Sequence, residues 1–243
     1  MDDPTRFIPL DRLAIAFLPV VGVLCILRLW KQGLTTPVYA VFRMLSQLLL
    51  VGYCLSYLFG TEQPAIVMAV LLAMVSIASW ISLRTISDQR SKLFWKAFAA
   101  VFVAGGLTLL IVTQGVLDLT VWYSPQHVIP LAGMIFSNCM NSVSLAAERY
   151  FAEASRSVDH EEARIVALKA ALIPITNSMF AVGLVSIPGM MTGLVLNGVA
   201  PVIAARYQIM VMCMIYGSSG MSAAIVLQLI GRVRKNVPEF GTE

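Results

Sequence analysis

Two amides, Asn138 and Asn141, interrupt an otherwise apolar stretch, VIPLAGMIFSNCMNSVSLAAERYF (residues 128–151). On a helix Met134, Asn138, Asn141, Leu145 and Glu148 recur every three or four residues and share a face, with Ser142 beside it. An amide left unpaired in an apolar medium costs roughly 2–7 kcal/mol. The face is therefore expected to meet another helix or a water-filled path. Both readings stay open, interhelical hydrogen bonding as for any Asn in a bundle or the lining of a substrate route. A second stretch, ALIPITNSMFAVGLVSIPGMMTGLVLNG (residues 171–198), carries the other irregularities. Pro174 removes a backbone donor, and Asn177 and Ser178 are placed to satisfy the freed groups. Pro188 and Gly189 form a strong breaker, so residues 189–197 are expected as a short, tilted or re-entrant piece. Gly189 and Gly193 make a GxxxG that permits close helix approach. Met190 and Met191 offer soft metal ligands, or simply flexible packing. Farther upstream Arg43, Ser46 and Gln47 cluster, with Arg43 near enough to a span end to snorkel. Anchor and functional readings of that arginine are both open.

The candidate substrate path is thus Arg43, Gln47, Met134, Asn138, Asn141, Ser142, Asn177 and Ser178. Other chemistries lack their residues. No Asp or Glu falls clearly inside an apolar run, and neither His127 nor His160 is deep, which removes the usual means of loading a proton in a proton-driven carrier. HExxH is absent, as is a buried Ser/His pair, so no catalytic residue is assigned. There is no GxxxxGK[ST], so uphill transport would need energy from another polypeptide. Cys25, Cys54, Cys139 and Cys213 are far apart, each in an apolar run, and are expected to pack rather than pair or bind metal.

The elements that must position these residues follow from composition. Only 12% of the 243 residues are charged and 58% are hydrophobic, where a soluble domain carries roughly 25% charged residues. Most of the surface must face lipid. The net charge of +4 does not indicate nucleic acid, because the basic residues sit in short clusters between apolar runs. A spanning helix needs about 20 apolar residues. Runs at 12–30, 37–59, 64–84, 95–116, 128–148, 166–187 and 204–231 meet this, giving a single all-α transmembrane domain over 1–243 with about seven spans. Fourteen of the 17 Lys and Arg fall on one side, in the clusters around Arg28, Arg84, Arg149 and Arg232, against Arg6, Arg12 and Arg206 on the other. The positive-inside rule then places the N-terminus outside and the C-terminus in the cytoplasm. Trp30, Trp95, Trp122 and Tyr123 sit near span ends as interfacial anchors. The start, MDDPTRFIPLDR, lacks a basic n-region and a small-residue cleavage site, so the first helix is expected to be retained.

Four stretches carry a family resemblance: RMLSQLLLVGYCLSYLF (43–59), VIPLAGMIFSNCMNSVSLAAER (128–149), AALIPITNSMFAVGLVSIPGMMTG (170–193) and RYQIMVM (206–212). The chain resembles the Fet-type iron-export permease family, related to plant aluminium-tolerance membrane proteins, with GLVSIPGMMTG the most specific run. The resemblance implies an ABC permease of the bacterial inner membrane that works as a homodimer. It implies export of iron or a related metal, with ATP and Mg²⁺ held by a separate cytoplasmic ATPase and no cofactor in this chain. The family pattern has a longer cytoplasmic segment between the fifth and sixth helices, with an LGAT-like stretch. Here residues 150–169 make the whole connection and no LGAT occurs. EEARIVALKAAL, with Glu161, Glu162 and Arg164, is the candidate coupling helix, its acidic residues well placed at an N-terminus; the alternative is a plain solvated loop. The shortened connection also keeps open a second reading, a membrane binding or regulatory protein that has lost ATPase coupling.

Overall fold

A computed structural model describes residues 9–60, 63–156 and 159–235. Of the amino-terminal segment read above for a signal, residues 1–8, including Arg6, lie outside the described residues, as does the tail after Lys235. Every regular element among the described residues is helical. Seven helical segments are long and apolar enough to cross a membrane: Asp11–Leu29, Thr35–Cys54, Pro64–Ser82, Arg90–Val116, Pro125–Ala154, His160–Ala181 and Pro201–Gly231. Each overlaps one apolar run of the sequence.

The chain divides into two compact units, Met1–Thr61 and Glu62–Glu243. The first holds α1 (Leu10–Ile15), α2 (Leu18–Leu29) and α3 (Thr35–Phe59). Pro19 falls in the first turn of α2, where a missing N–H breaks no helical bond. Neither spanning segment of this unit buries a residue, as segments surrounded by lipid allow.

The second unit holds α4 (Pro64–Ser82), α5 (Arg90–Leu110), α6 (Pro125–Ala154), α7 (His160–Ala181), α8 (Gly189–Leu196) and α9 (Pro201–Lys235). Proline opens α4, α6 and α9, its fixed φ suiting a first helical position. The turn between α4 and α5 is held by Arg90, whose Nε and Nη2 donate to the Trp80 carbonyl at 3.0 and 2.7 Å while its guanidinium lies 3.8 Å over the Trp80 ring. The far end of α5 widens into a π-helical turn, Ile111–Val116, and stops at Asp118, whose φ is +46°. Central in the unit is α6, which touches α4, α5, α7 and α9. Small side chains let the helices close up: Ala97, Ala100 and Ala104 on α5, Ala146 and Ala147 on α6, Ala163, Ala167 and Ala171 on α7, all buried. Gly105 is the tightest approach, since a Cβ there would meet Phe136 Cε1 at 2.7 Å.

Two expectations need correction. The connection after the fifth span is not a loop over 150–169, because α6 runs to Ala154 and α7 starts at His160. The helix expected from EEARIVALKAAL does form, but as the first turns of α7 rather than a separate element. The break after the sixth span also begins earlier than Pro188. Helix α7 ends at Ala181, Val182 is extended (φ −64°, ψ 130°) and Gly183 takes φ +84°, a left-handed conformation that glycine adopts without strain. Gly183 N donates to the Ser186 carbonyl at 2.9 Å, closing a tight turn, and Pro188 then caps the eight-residue α8. Pro174, in contrast, leaves α7 unbroken.

Candidate functional site

Two adjoining cavities lie among α6, α7 and α9, and they share Asn138, Ile175 and Ser178. The smaller, about 90 Å³, is lined by Asn138, Asn141, Ser142, Leu145, Ala171, Pro174, Ile175, Ser178 and Ser219. The larger, about 350 Å³, adds Met134, the turn residues Val182 and Ser186, Pro188, Gly189 and Met190 at the head of α8, and Gln208, Val211, Met212 and Ile215 of α9. Along α6 the lined seam runs from Met134 to Leu145, and along α9 from Gln208 to Ser219. Eleven residues at a rise of 1.5 Å make about 16 Å on each helix, roughly half of a ~30 Å hydrocarbon layer. The two helices thus agree on the depth. Beyond Leu145 the same helices are tightly packed in the bundle, with Ala146, Ala147 and Tyr150 of α6, Ala163 and Ala167 of α7 and Val226 of α9 each no more than 1% exposed. At that end Tyr150 Oη is hydrogen-bonded to His160 Nδ1 at 2.7 Å.

Among the described residues, no charged side chain lines either cavity. Asn138 Nδ2 donates to the Met134 carbonyl at 2.8 Å, and Ser178 Oγ donates to the Pro174 carbonyl at 3.0 Å. Both are bonds to the previous turn of their own helix. Ser178 thus bonds the carbonyl of Pro174 itself and not the Ala170 carbonyl that Pro174 frees. Two further lining groups are buried without a hydrogen-bond partner: Gln208 Oε1, in a residue 6% exposed, and Ser219 Oγ, in a residue 1% exposed.

Of the path residues expected from sequence, Met134, Asn138, Asn141, Ser142 and Ser178 come together here, along with Pro174, Pro188, Gly189 and Met190. Asn177 does not. It lines neither cavity, lying about 100° round α7 from Ser178. Met191 and Gly193 lie off the cavities as well, and a Cβ on Gly189 or Gly193 would meet nothing within 4 Å, so the GxxxG makes no close helix contact in this chain. Arg43 and Gln47 belong to α3 of the first unit, where neighbouring Ser46 Oγ donates to the Phe42 carbonyl at 3.1 Å. Of the cysteines only Cys139 is buried, its Sγ 3.4 Å from the Ser218 carbonyl. Cys25, Cys54 and Cys213 are free and exposed rather than packed. Sequence reading missed Gln208, Met212 and Ser219. The signal was their helical phase with Ile215 along α9, which acquires meaning only once α6 and α7 are known to face it.

At the α6–α7 turn Asp159 caps α7, its Oδ2 accepting from Glu161 N at 3.0 Å. That bond, followed by those from the His160 and Glu162 amides, holds its carboxyl below the usual range. Glu161 and Glu162 are exposed and Arg164 half-buried beside it. Glu153, buried at the end of α6, pairs with Arg149 and reaches Arg156 at 4.0 Å.

A sequence model of an uncharacterised protein family, UPF0014, matches residues 10–166 and 154–233, which include all seven spans and every residue lining the cavities. The chain belongs to the UPF0014 family. A UPF0014 membrane protein of Synechocystis is 34% identical over 237 residues, covering 88% of this chain and 90% of that one. The probable iron export permease protein FetB of Escherichia coli is 33% identical over 238 residues, with 91% and 90% covered. Protein ALUMINUM SENSITIVE 3 of Arabidopsis thaliana is 26% identical over 224 residues, with 84% and 80% covered. No solved structure matches. Family membership and seven apolar spans make this UPF0014 chain a multi-pass integral membrane protein. The two matched stretches of the UPF0014 model overlap at residues 154–166, around the α6–α7 turn.

Proposed function

We propose that this UPF0014 protein is the membrane-spanning permease subunit of an ATP-driven exporter of iron or a related metal. A separate cytoplasmic ATPase supplies the energy, and two permease copies assemble with it. The observation that carries the reading is the pair of adjoining cavities whose lining α6, α7 and α9 share, with Asn138, Asn141, Ser142, Ser178, Gln208 and Ser219 among its residues. A structural core would have no use for two unpartnered polar atoms in the lining of a cavity; a passage for a polar solute does. Similarity over nine-tenths of the chain to a protein named as a probable iron export permease supports the cargo class. The proposed orientation puts the N-terminus outside and the α6–α7 turn in the cytoplasm, where Asp159, Glu161 and Glu162 are exposed for docking.

The test is co-purification of the full chain with a P-loop ATPase co-expressed from the same genome, followed by reconstitution in liposomes. Metal-stimulated ATP turnover and metal flux are expected. No ATPase association and no flux with the ATPase supplied would overturn the proposal. A second reading, a binding or regulatory protein without ATPase coupling, is favoured by the short connection between α6, which ends at Ala154, and α7, which starts at His160. Inserting the longer connection of a relative separates the two, because only a permease limited by its short turn gains efflux.

A further inference from the structure

Three thioethers, from Met134 on α6, Met190 on α8 and Met212 on α9, line the same 350 Å³ cavity. Asn138 and Gln208 line it too, and Gln208 Oε1 is a buried acceptor with no partner. Among the described residues, no three His, Cys, Asp or Glu side chains come together as a metal site. The geometry points to a thioether site in this cavity that takes a soft monovalent cation, of the Cu(I) or Ag(I) class, with the Gln208 carbonyl as an additional oxygen donor. This rests on the metal-permease reading and narrows its cargo from iron or a related metal to a soft monovalent ion, setting iron aside.

The donor set decides the class of ion. Thioethers are neutral, polarisable and weak, and they select soft ions, whereas hard cations look for carboxylate, carbonyl and water oxygens. The charge decides the valence. The cost of removing an ion from water grows with the square of its charge, about fourfold for a divalent and ninefold for a trivalent cation relative to a monovalent one. A lining without a single carboxylate offers nothing to offset the dehydration of the more highly charged ions. Methionine also serves as a flexible gap filler in cores, but here three separate elements bring it to the lining of one cavity. An acceptor left unsatisfied at the same wall is what a cation, itself without donors or acceptors, would complete.

The experiment is Ag(I) titration of the purified full chain in detergent, with the cysteines alkylated so that thiols do not compete. One Ag(I) per chain is expected, undisturbed by a hundredfold excess of Fe²⁺. M134L/M190L/M212L, which conserves side-chain volume, should lose the site, Q208L should weaken it about tenfold, and M191L, off the cavity, should bind as the unsubstituted chain does. Bound Ag(I) should also shield Met190 and Met212, but not Met191, from oxidation read residue by residue by mass spectrometry. If the triple variant does not fold, the three single variants and the oxidation map carry the test. Equal Ag(I) binding by the Met variants, displacement by Fe²⁺, or no shielding of Met190 and Met212 would overturn the assignment. No ATPase is present in this assay, so its failure leaves the permease reading standing, and failure of ATPase coupling leaves the site standing.

Discussion

Replacing Gln208 by leucine should make this protein more stable and less functional. Gln208 is 6% exposed, and its Oε1 is buried without a hydrogen-bond partner. A buried acceptor in that state costs about 1–3 kcal/mol. Leucine has similar volume and no acceptor, so that penalty disappears with little change in packing. Taking about 2 kcal/mol, the thermal midpoint of a chain of this length should rise by about 4–8 °C. The assay is thermal unfolding of the purified chain in one detergent, run beside metal flux in liposomes at matched protein levels. Flux should fall, because the acceptor lines the larger cavity. A midpoint lowered by a similar amount would refute the reasoning, since it would mean that Oε1 is satisfied within the protein and belongs to its core. A raised midpoint with unchanged flux would refute the functional half alone.

Asn138→Leu and Asn141→Leu should impair flux more than they reduce membrane level, since both residues line the smaller cavity; equal flux at matched levels, read by tracer efflux, would remove them from the path. Gly105→Val should destabilise by about 1–3 kcal/mol through overpacking, because a Cβ there already reaches Phe136 at 2.7 Å, whereas Gly106→Val, with nothing within 4 Å of the added carbon, should unfold near the wild-type temperature. Asp159→Ala should speed amide exchange in the first turn of α7, with Asp159→Asn intermediate. The same carboxyl sets a pH dependence: its folded pKa lies below the unfolded one, so its contribution is present above the unfolded value and is lost as pH falls through the depressed value. Protection of that turn, followed by exchange against pH, should therefore hold through neutrality and fade only in acid below the usual carboxylate range.

Hydropathy made the spans legible because lipid imposes one length on every crossing, and each apolar run of the sequence corresponds to a helix. The ends were less legible. An apolar window marks where α7 enters lipid, not where it starts, and the polar turns His160–Ile165 extend it because Asp159 caps them. At the other end the bend at Val182–Ser186 hides inside an apolar run, where Gly183 reads as one more small residue until its φ of +84° is seen. Pro188 drew attention because proline announces itself, yet it begins α8 rather than ending α7. The site was half legible for a similar reason. Asn138 and Asn141 stand out by type, being amides within apolar sequence. Ser219 sits in GSSGMS, where serine is ordinary by type, and Gln208 lies near a span end; only the packing of α9 against α6 and α7 turns them inward.

The two halves of the bundle differ in a way that bears on which of them moves. The cavity walls include amides, thioethers and a bent backbone, while the half beyond Leu145 is packed with small buried side chains, Ala146, Ala163 and Ala167 among them, and Val226. Lipid tails are as apolar as alanine, so separating these surfaces forfeits packing but not a hydrophobic driving force. Small side chains also interlock little, so parting them disturbs few rotamers. The half packed with small side chains is therefore the cheaper one to open, and it adjoins the α6–α7 turn at which an ATPase is proposed to dock. Force applied to Glu161 and Glu162 would act on the first turn of α7, directly above Ala163, and would reach the Tyr150–His160 hydrogen bond before any cavity residue. A docked ATPase would thus need no long relay: the helix it would grip is one that lines both cavities, through Ile175 and Ser178.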